Sequence, residues 1–513
     1  MPPSGFLTAR APNHWTLACG FVAVAVPFLI GFSHILNHFY VDGAYFQDSG
    51  QLAYLLSHPD PLMRSPKVFE ESVFWRYHVS LTIRVLSEIY PFTPFTPPQY
   101  YALYIGAGQA LLAAGVFWAL TGPLGLRGRS AWIAAVLAIL FANSGLAVAA
   151  LRFPHYEVLI AASLILLLVS LHQGRHVAAF VWTAVALCTR EDGGFHVATF
   201  LAATFLARRM LKIPSPKGQD RVVLWLFAVS MLYSAGAILC QFLFLQNELV
   251  SFRSAYAGQH PFSGPGVSEV LSRLAGWLTV RTYVFLPLIA ATIWAVVRRN
   301  YYLLAGYAAT IPWLALQLVA AADLPRTLSS YYAFPLLAAM SWPLLGVLQG
   351  APRASPGQRK EAVIGFAVML AVSFTGLSMQ HNPNRISFAA TFDLPPSADH
   401  QRKVDKALAL LARLDPEHMS VDQGVLSLLP DGFTAEQTFL TPPRPDTNTI
   451  LYFAHGFQAR EAMARARDAG LTRHYAVNGT SVRIATDKPL ERVPALTGRI
   501  TPVTPEENPA GRR

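Results

Sequence analysis

Arg190, Glu191 and Asp192 stand in a row inside the otherwise apolar stretch 177–207, with Gly193 behind them. Charges in such a setting are costly unless they pair or serve a ligand. An arginine fork fits two phosphate oxygens, while carboxylates accept hydroxyl hydrogen bonds or take protons. The row is therefore either an internal Arg–carboxylate pair at a turn or part of a reactive site. Asp42 and Asp48 follow the first apolar segment. A partly desolvated carboxylate there acts as a general base; a solvated one only caps a helix or faces water. His78 follows aromatic residues and precedes an amphipathic stretch, the setting of a packing histidine or of a site residue. Arg152, His155 and Glu157 form the next cluster. His155 and Glu157 reach one site from a loop, but two ligands do not make a metal site, and a structural hydrogen-bonded pair fits equally. Arg281 and Arg326, like Arg152, lie near ends of apolar segments, as interfacial anchors or as phosphate ligands.

The elements that must hold these residues are membrane segments. Of 513 residues, 53% are hydrophobic and only 13% charged, against about 25% charged in a typical soluble domain. Mean hydropathy is +0.36. A soluble chain has no interior for so much apolar surface, and a disordered one does not carry it. The fold class is a polytopic α-helical membrane protein. Apolar segments near the length of a span lie at 15–36, 99–121, 131–150, 222–245, 282–297, 301–321, 328–348 and 362–379. The first is too long, and lacks the cleavage site, for a cleaved signal. Three shorter runs lie at 158–171, 177–189 and 195–207, the last two reading as a short hairpin with Arg190, Glu191 and Asp192 at its tip. That makes about eleven membrane segments. Short loops rich in Arg and Lys alternate with long acidic ones at 37–98 and 246–281. The positive-inside rule then puts the N-terminus in the cytoplasm and the C-terminus outside.

Residues 381–513 are of another class. They carry 16 Lys and Arg against 15 Asp and Glu, so nearly all of the net charge of +11 belongs to residues 1–380. That excess suits loops facing anionic lipid; no basic run or zinc-finger spacing supports nucleic-acid binding. Helical periodicity at 399–414 and 459–469, with short strands at 419–421, 449–453, 474–477 and 481–484, predicts a small extracytoplasmic α/β domain over 381–492. The Pro-rich tail 493–513 is expected to be loose. Cys19, Cys188 and Cys240 sit in apolar segments, where core packing explains them. No internal repeat is visible, which weighs against a transporter.

The order of these motifs along the chain resembles a known family. Asp48, Ser49 and Gly50 are similar to its Asp-Leu-Gly segment. Phe153, His155 and Glu157 resemble its Phe-His-x-Glu segment. Arg190, Glu191, Asp192 and Gly193 match its Lys-Glu-Asp-x-Gly segment, with Arg for Lys. A Tyr-rich segment with Tyr331 and Tyr332 follows, and 420–429 resembles the start of its outer domain. The family is an uncharacterised bacterial and archaeal group of membrane proteins related to the GT-C glycosyltransferases. The resemblance implies a GT-C-like module over 1–380, with its long first outer loop at 37–98, in the bacterial inner membrane. It implies transfer of a sugar, with inversion, from a polyprenyl-phosphate carrier to a glycan, lipid or protein acceptor on the outer face. Asp48 would be the general base and Asp42 its reserve. Arg190 and Arg326 would face the phosphate. His78, Arg152, His155, Glu157, Glu191, Asp192 and Tyr331 would line the substrate site. A divalent metal is left open. The other classes are a flippase for a lipid-linked glycan and an envelope-assembly protein without catalysis.

Overall fold

A computed structural model describes residues 13–42, 47–61, 63, 74–76, 78–151, 155–215, 218–245, 265–321, 326–379, 393–414, 418–429, 446–454 and 459–504. The helices of the apolar part are α1 (His14–Asn37), α2 (Gln47–Ser57), α3 (Leu81–Ile89), α4 (Pro97–Thr121), α5 (Ala131–Ala142), α6 (Gly145–Leu151), α7 (Val158–His172), α8 (His176–Thr189), α9 (Gly193–Met210) and α10 (Gln219–Phe244). They continue as α11 (Val267–Val280), α12 (Thr282–Arg298), α13 (Ala305–Val319), α14 (Phe334–Ser341), α15 (Pro343–Gly346) and α16 (Pro356–Ser378). Each of the eleven apolar segments read from the sequence falls on helix. By length and composition, five helices are fit to cross a bilayer: His14–Val41, Pro97–Thr121, Gln219–Phe244, Tyr301–Val319 and Pro356–Ser378. Two bent pairs raise the number to seven. One is Gly128–Ala142 with Gly145–Leu151, bent by 43°; the other is Val267–Val280 with Thr282–Arg298, bent by 84°. The second pair revises the reading of 246–281 as a loop, because 267–280 is an amphipathic helix steadied by the Glu269–Arg273 pair one turn apart.

Local chemistry sets the ends of these helices. Asn13 Oδ1 accepts from Thr16 N at 2.9 Å to start α1. Ser355 and Gln358 form a reciprocal capping box at the start of α16. Packing in the bundle depends on small residues. α4 lies against α1, α5 and α7. At Gly108 of α4 a Cβ would sit 2.3 Å from Val158 Cγ1, so only glycine permits the approach of α7.

The C-terminal part holds α17 (Ala398–Leu414), β1 (Met419–Val421), α18 (Gln423–Leu426), β2 (Thr449–Phe453), α19 (Ala459–Asp468), β3 (Arg473–Val477), β4 (Val482–Thr486) and β5 (Ile500–Pro502). The sheet order is β1-β2-β4-β3-β5, parallel between β1 and β2 and antiparallel elsewhere. Strand β2 is buried on both faces. Ile450 and Tyr452 join Ala459, Ala462 and Ala466 in a small core under α19. Leu451 and Phe453 point the other way and join the main core. The tail differs from expectation: β5 pairs with β3 through Val477 and Ile500. Three residues are too few to show alternation, and an edge position tolerates Pro502.

This domain is docked on the membrane part. Asn37 Nδ2 donates to the Leu394 carbonyl at 2.8 Å, and Gln99 Nε2 to Gln401 Oε1 at 2.8 Å. His400 Nε2 lies 3.0 Å from the Tyr40 carbonyl, and Ser481 N donates to the Val41 carbonyl at 2.9 Å. α18 packs on α2, the helix that carries Asp48.

Candidate functional site

The site begins with a break in a hairpin. α8 stops at Thr189, and Arg190 is fully extended, with φ −158° and ψ 154°. α9 restarts at Gly193. The turn is tight because two glycines admit close backbone. A Cβ on Gly194 would lie 2.1 Å from the Ser230 carbonyl of α10. Three charged side chains are thereby presented at the end of an apolar hairpin.

Their partners come from two other parts of the chain. Glu191 Oε1 lies 3.0 Å from His78 Nδ1, and Glu191 Oε2 accepts from Val79 N at 2.9 Å. Both oxygens of one carboxylate thus tie the segment between α2 and α3 to the hairpin. Arg190 Nη1 is paired with Glu157 Oε1. Its Nε lies 3.3 Å from Glu191 Oε1 and 3.2 Å from Asp192 Oδ1. His155 Nδ1 is 3.5 Å from Glu157 Oε1. His78, His155, Glu157, Arg190, Glu191 and Asp192, separated by up to 114 positions, form one connected cluster. His155, Glu157 and Glu191 are buried.

The electrostatics follow from the count. One guanidinium meets three carboxylates. A buried charge pair is tolerable only when partners offset the loss of water. Arg190 supplies that offset, and its Nε and Nη1 are engaged by carboxylates. The histidines add polarity without a fixed charge. Among the described residues, no three His, Cys, Asp or Glu side chains converge closely enough to hold a metal ion.

Aromatic and polar groups that the sequence did not single out complete the cluster. His196 Nε2 is 3.9 Å from Asp192 Oδ2, and its ring stacks on Trp313 of α13 at 4.0 Å. Tyr156 lies 4.2 Å from the His155 ring and 6.3 Å from Phe74, and its carbonyl accepts from Tyr104 OH at 3.0 Å. Tyr156 OH, His196 Nδ1 and Trp313 Nε1 are buried without a hydrogen-bond partner among the described residues. Such atoms suit a ligand rich in hydroxyl groups, which can both donate and accept. His196 had a visible signal, since it lies one helical turn after Asp192. Trp313 had none, because only tertiary packing brings it there.

The other expected site residues stand as follows. Asp42 ends the π-helical turn His38–Asp42, and Asp48 is in the first turn of α2, but both side chains lie outside the described residues. Arg152 is outside them altogether. Tyr331 is in the 3-10 turn Ser330–Ala333 with its side chain likewise outside. Arg326 Nη2 donates to the Ala321 carbonyl at 3.0 Å, and the Arg326 carbonyl accepts from Trp277 Nε1 at 2.7 Å.

No protein-family model and no curated protein matches the chain. A solved structure similar to it is ArnT from Cupriavidus metallidurans bound to undecaprenyl phosphate. It is 13% identical, over 93% of this chain and 98% of that one, with a TM-score of 0.45.

Proposed function

We propose that the chain is a membrane glycosyltransferase, moving a sugar from a polyprenyl-phosphate carrier to a hydroxyl acceptor on the outer face of the bacterial inner membrane. The observation that carries this reading is the bond between loop and hairpin, in which Glu191 holds His78 and Val79 while Arg190 gathers Glu157 and Asp192. A polar, carboxylate-rich cluster at the end of apolar helices is where a lipid-borne sugar and a polar acceptor can meet. The family resemblance of these motifs points the same way.

In this reading Asp48 takes the proton of the acceptor hydroxyl. The acceptor oxygen bonds to the anomeric carbon as the bond from that carbon to the phosphate oxygen breaks. The electron pair leaves on the phosphate, where Arg326 offsets the charge. Glu157 and Asp192 accept hydrogen bonds from sugar hydroxyls. Arg190 is a positioning residue that holds these carboxylates together, and Glu191 positions His78. The N-terminus is cytoplasmic and the sheet domain extracytoplasmic.

The test uses purified protein with radiolabelled polyprenyl-phosphate hexoses and pentoses and a cell-envelope extract as acceptor. Wild type should release polyprenyl phosphate from one donor. Asp48→Asn should lose about 10²–10⁴-fold of that turnover while keeping its thermal unfolding midpoint. Movement of intact donor across proteoliposomes with no bond cleavage would instead make the protein a flippase.

A further inference from the structure

α11 meets α12 almost at a right angle, with a bend of 84° between Val267–Val280 and Thr282–Arg298. α12 and α13 are joined by the short turn Tyr301–Leu304, so the start of α12 and the end of α13 share one side of the membrane. A helix at right angles to α12 there runs along the bilayer surface. Three contacts fix it at that level. Arg273 Nη1 donates to the carbonyls of Leu318 at 2.9 Å and Ala320 at 3.0 Å, at the end of α13. Trp277 Nε1 donates to the Arg326 carbonyl at 2.7 Å. The Trp277 ring stacks on Phe285 of α12 across the bend, with centroids 6.4 Å apart.

The helix has three faces. Trp277 and Val270 fall on one side, buried and half-buried against the bundle. Val267, Leu271, Leu274 and Leu278 fall together within an arc of about 60° and about a quarter turn away from that side. They are 79%, 60%, 37% and 50% exposed. Ser268, Ser272 and Thr279, also exposed, lie beyond this stripe. The only charged residues of the helix, Glu269 and Arg273, pair with each other. A helix lying flat beside a bundle needs this order: protein at its flank, hydrocarbon below, water above. The apolar stripe also continues onto the spanning helices, where Ile289, Ile293 and Val296 of α12 and Val319 of α13 are exposed.

We propose that α11 is an interfacial helix that lies flat on the bilayer, with Val267, Leu271, Leu274 and Leu278 sunk among the upper acyl chains of its lipids. The partner of this exposed stripe is the lipid surface itself, and burial of apolar area holds the two together. Through Arg273 and Trp277 the membrane surface then sets the height of the segment from α13 to Arg326. The inference needs only that α12 and α13 cross the bilayer, and it is independent of the sugar-transfer reading.

Full-length protein carrying Cys19→Ala, Cys188→Ala and Cys240→Ala can be given one nitroxide at a time, through Leu271→Cys, Leu278→Cys or Ser272→Cys, and placed in phospholipid nanodiscs. At Leu271→Cys and Leu278→Cys, collision with lipid-soluble oxygen should exceed collision with a water-soluble nickel chelate several-fold, with the label about 5–10 Å below the headgroups. At Ser272→Cys the order should reverse. Nickel access at both leucine positions makes α11 a water-facing lid and overturns the proposal. Access of neither probe means that protein covers the stripe, and oxygen access at all three positions means a re-entrant segment; each overturns it too. Leu271→benzoylphenylalanine in the chain with its native cysteines tests the same contact without the alanine background. Irradiation should crosslink it to phospholipid, and crosslinks to protein alone would count against the lipid surface as partner.

Discussion

Arg190 is the residue whose loss the cluster should feel most. Removing it leaves Glu157, Glu191 and Asp192 with no cation at their centre. Breaking a buried pair from one side costs about 3–5 kcal/mol. Arg190→Ala should therefore lower the thermal unfolding midpoint sharply in detergent. Arg190→Lys should recover only part of it, because a single ammonium cannot face carboxylates on both its Nε and Nη1 sides. Equal midpoints for wild type and Arg190→Ala would contradict the central place given to this guanidinium. Legibility at this scale was uneven. Arg190, Glu191 and Asp192 announced themselves because charge inside an apolar run is rare. His78 and Glu157 were visible as residue types, but their convergence on Glu191 and Arg190 was not, since nothing in local sequence encodes a contact across 113 positions. Trp313, an aromatic in an apolar helix, looked like any other.

At the scale of elements, the hairpin depends on how closely α9 can approach its neighbours. A Cβ at Gly194 would meet the Ser230 carbonyl at 2.1 Å, and backbone cannot step aside as a flexible side chain does. Gly194→Ala should cost about 1–3 kcal/mol or more through overpacking, seen as lower yield and a lower unfolding midpoint. Gly236→Ala on α10 is the control. Nothing lies within 4 Å of a Cβ there, so the change should be neutral or slightly stabilising through helix propensity. The apolar runs fall on helix because the solvent they need is fixed by composition, but Val267–Val280, amphipathic rather than uniformly apolar, escaped them. Bends escaped the same reading: the 84° turn at Arg281 joins two stretches, each acceptable as helix alone. β5 escaped because three edge residues leave no pattern.

At the scale of the molecule, the sheet domain and the membrane part meet through groups that titrate. Burial pushes the Asp422 carboxyl up to about 6, although the Gly424 amide donates to it at 2.8 Å. Burial likewise raises Asp405 to about 6, where Tyr40 of the membrane part hydrogen bonds to it. A carboxyl raised in the folded state favours its neutral form. The cost of ionising it is absent below the unfolded value near 4, grows as pH rises, and is full above about 6. The domain should thus unfold at lower temperature at pH 8 than at pH 5. Asp422→Asn, which keeps the cap acceptor, should flatten that slope; an unchanged slope would remove Asp422 as its cause. The shortness of α8 bears on the whole assembly in its membrane. Its 14 residues reach about 21 Å, while the hydrocarbon of a bilayer is about 30 Å thick. Hydrophobic mismatch of this size is met by a dimple, in which lipid headgroups and water sink toward the short face. On the proposed reading, the Arg190 break would lie at the floor of that dimple, where the carrier lipid of the proposed reaction could present its headgroup without being lifted out of its leaflet.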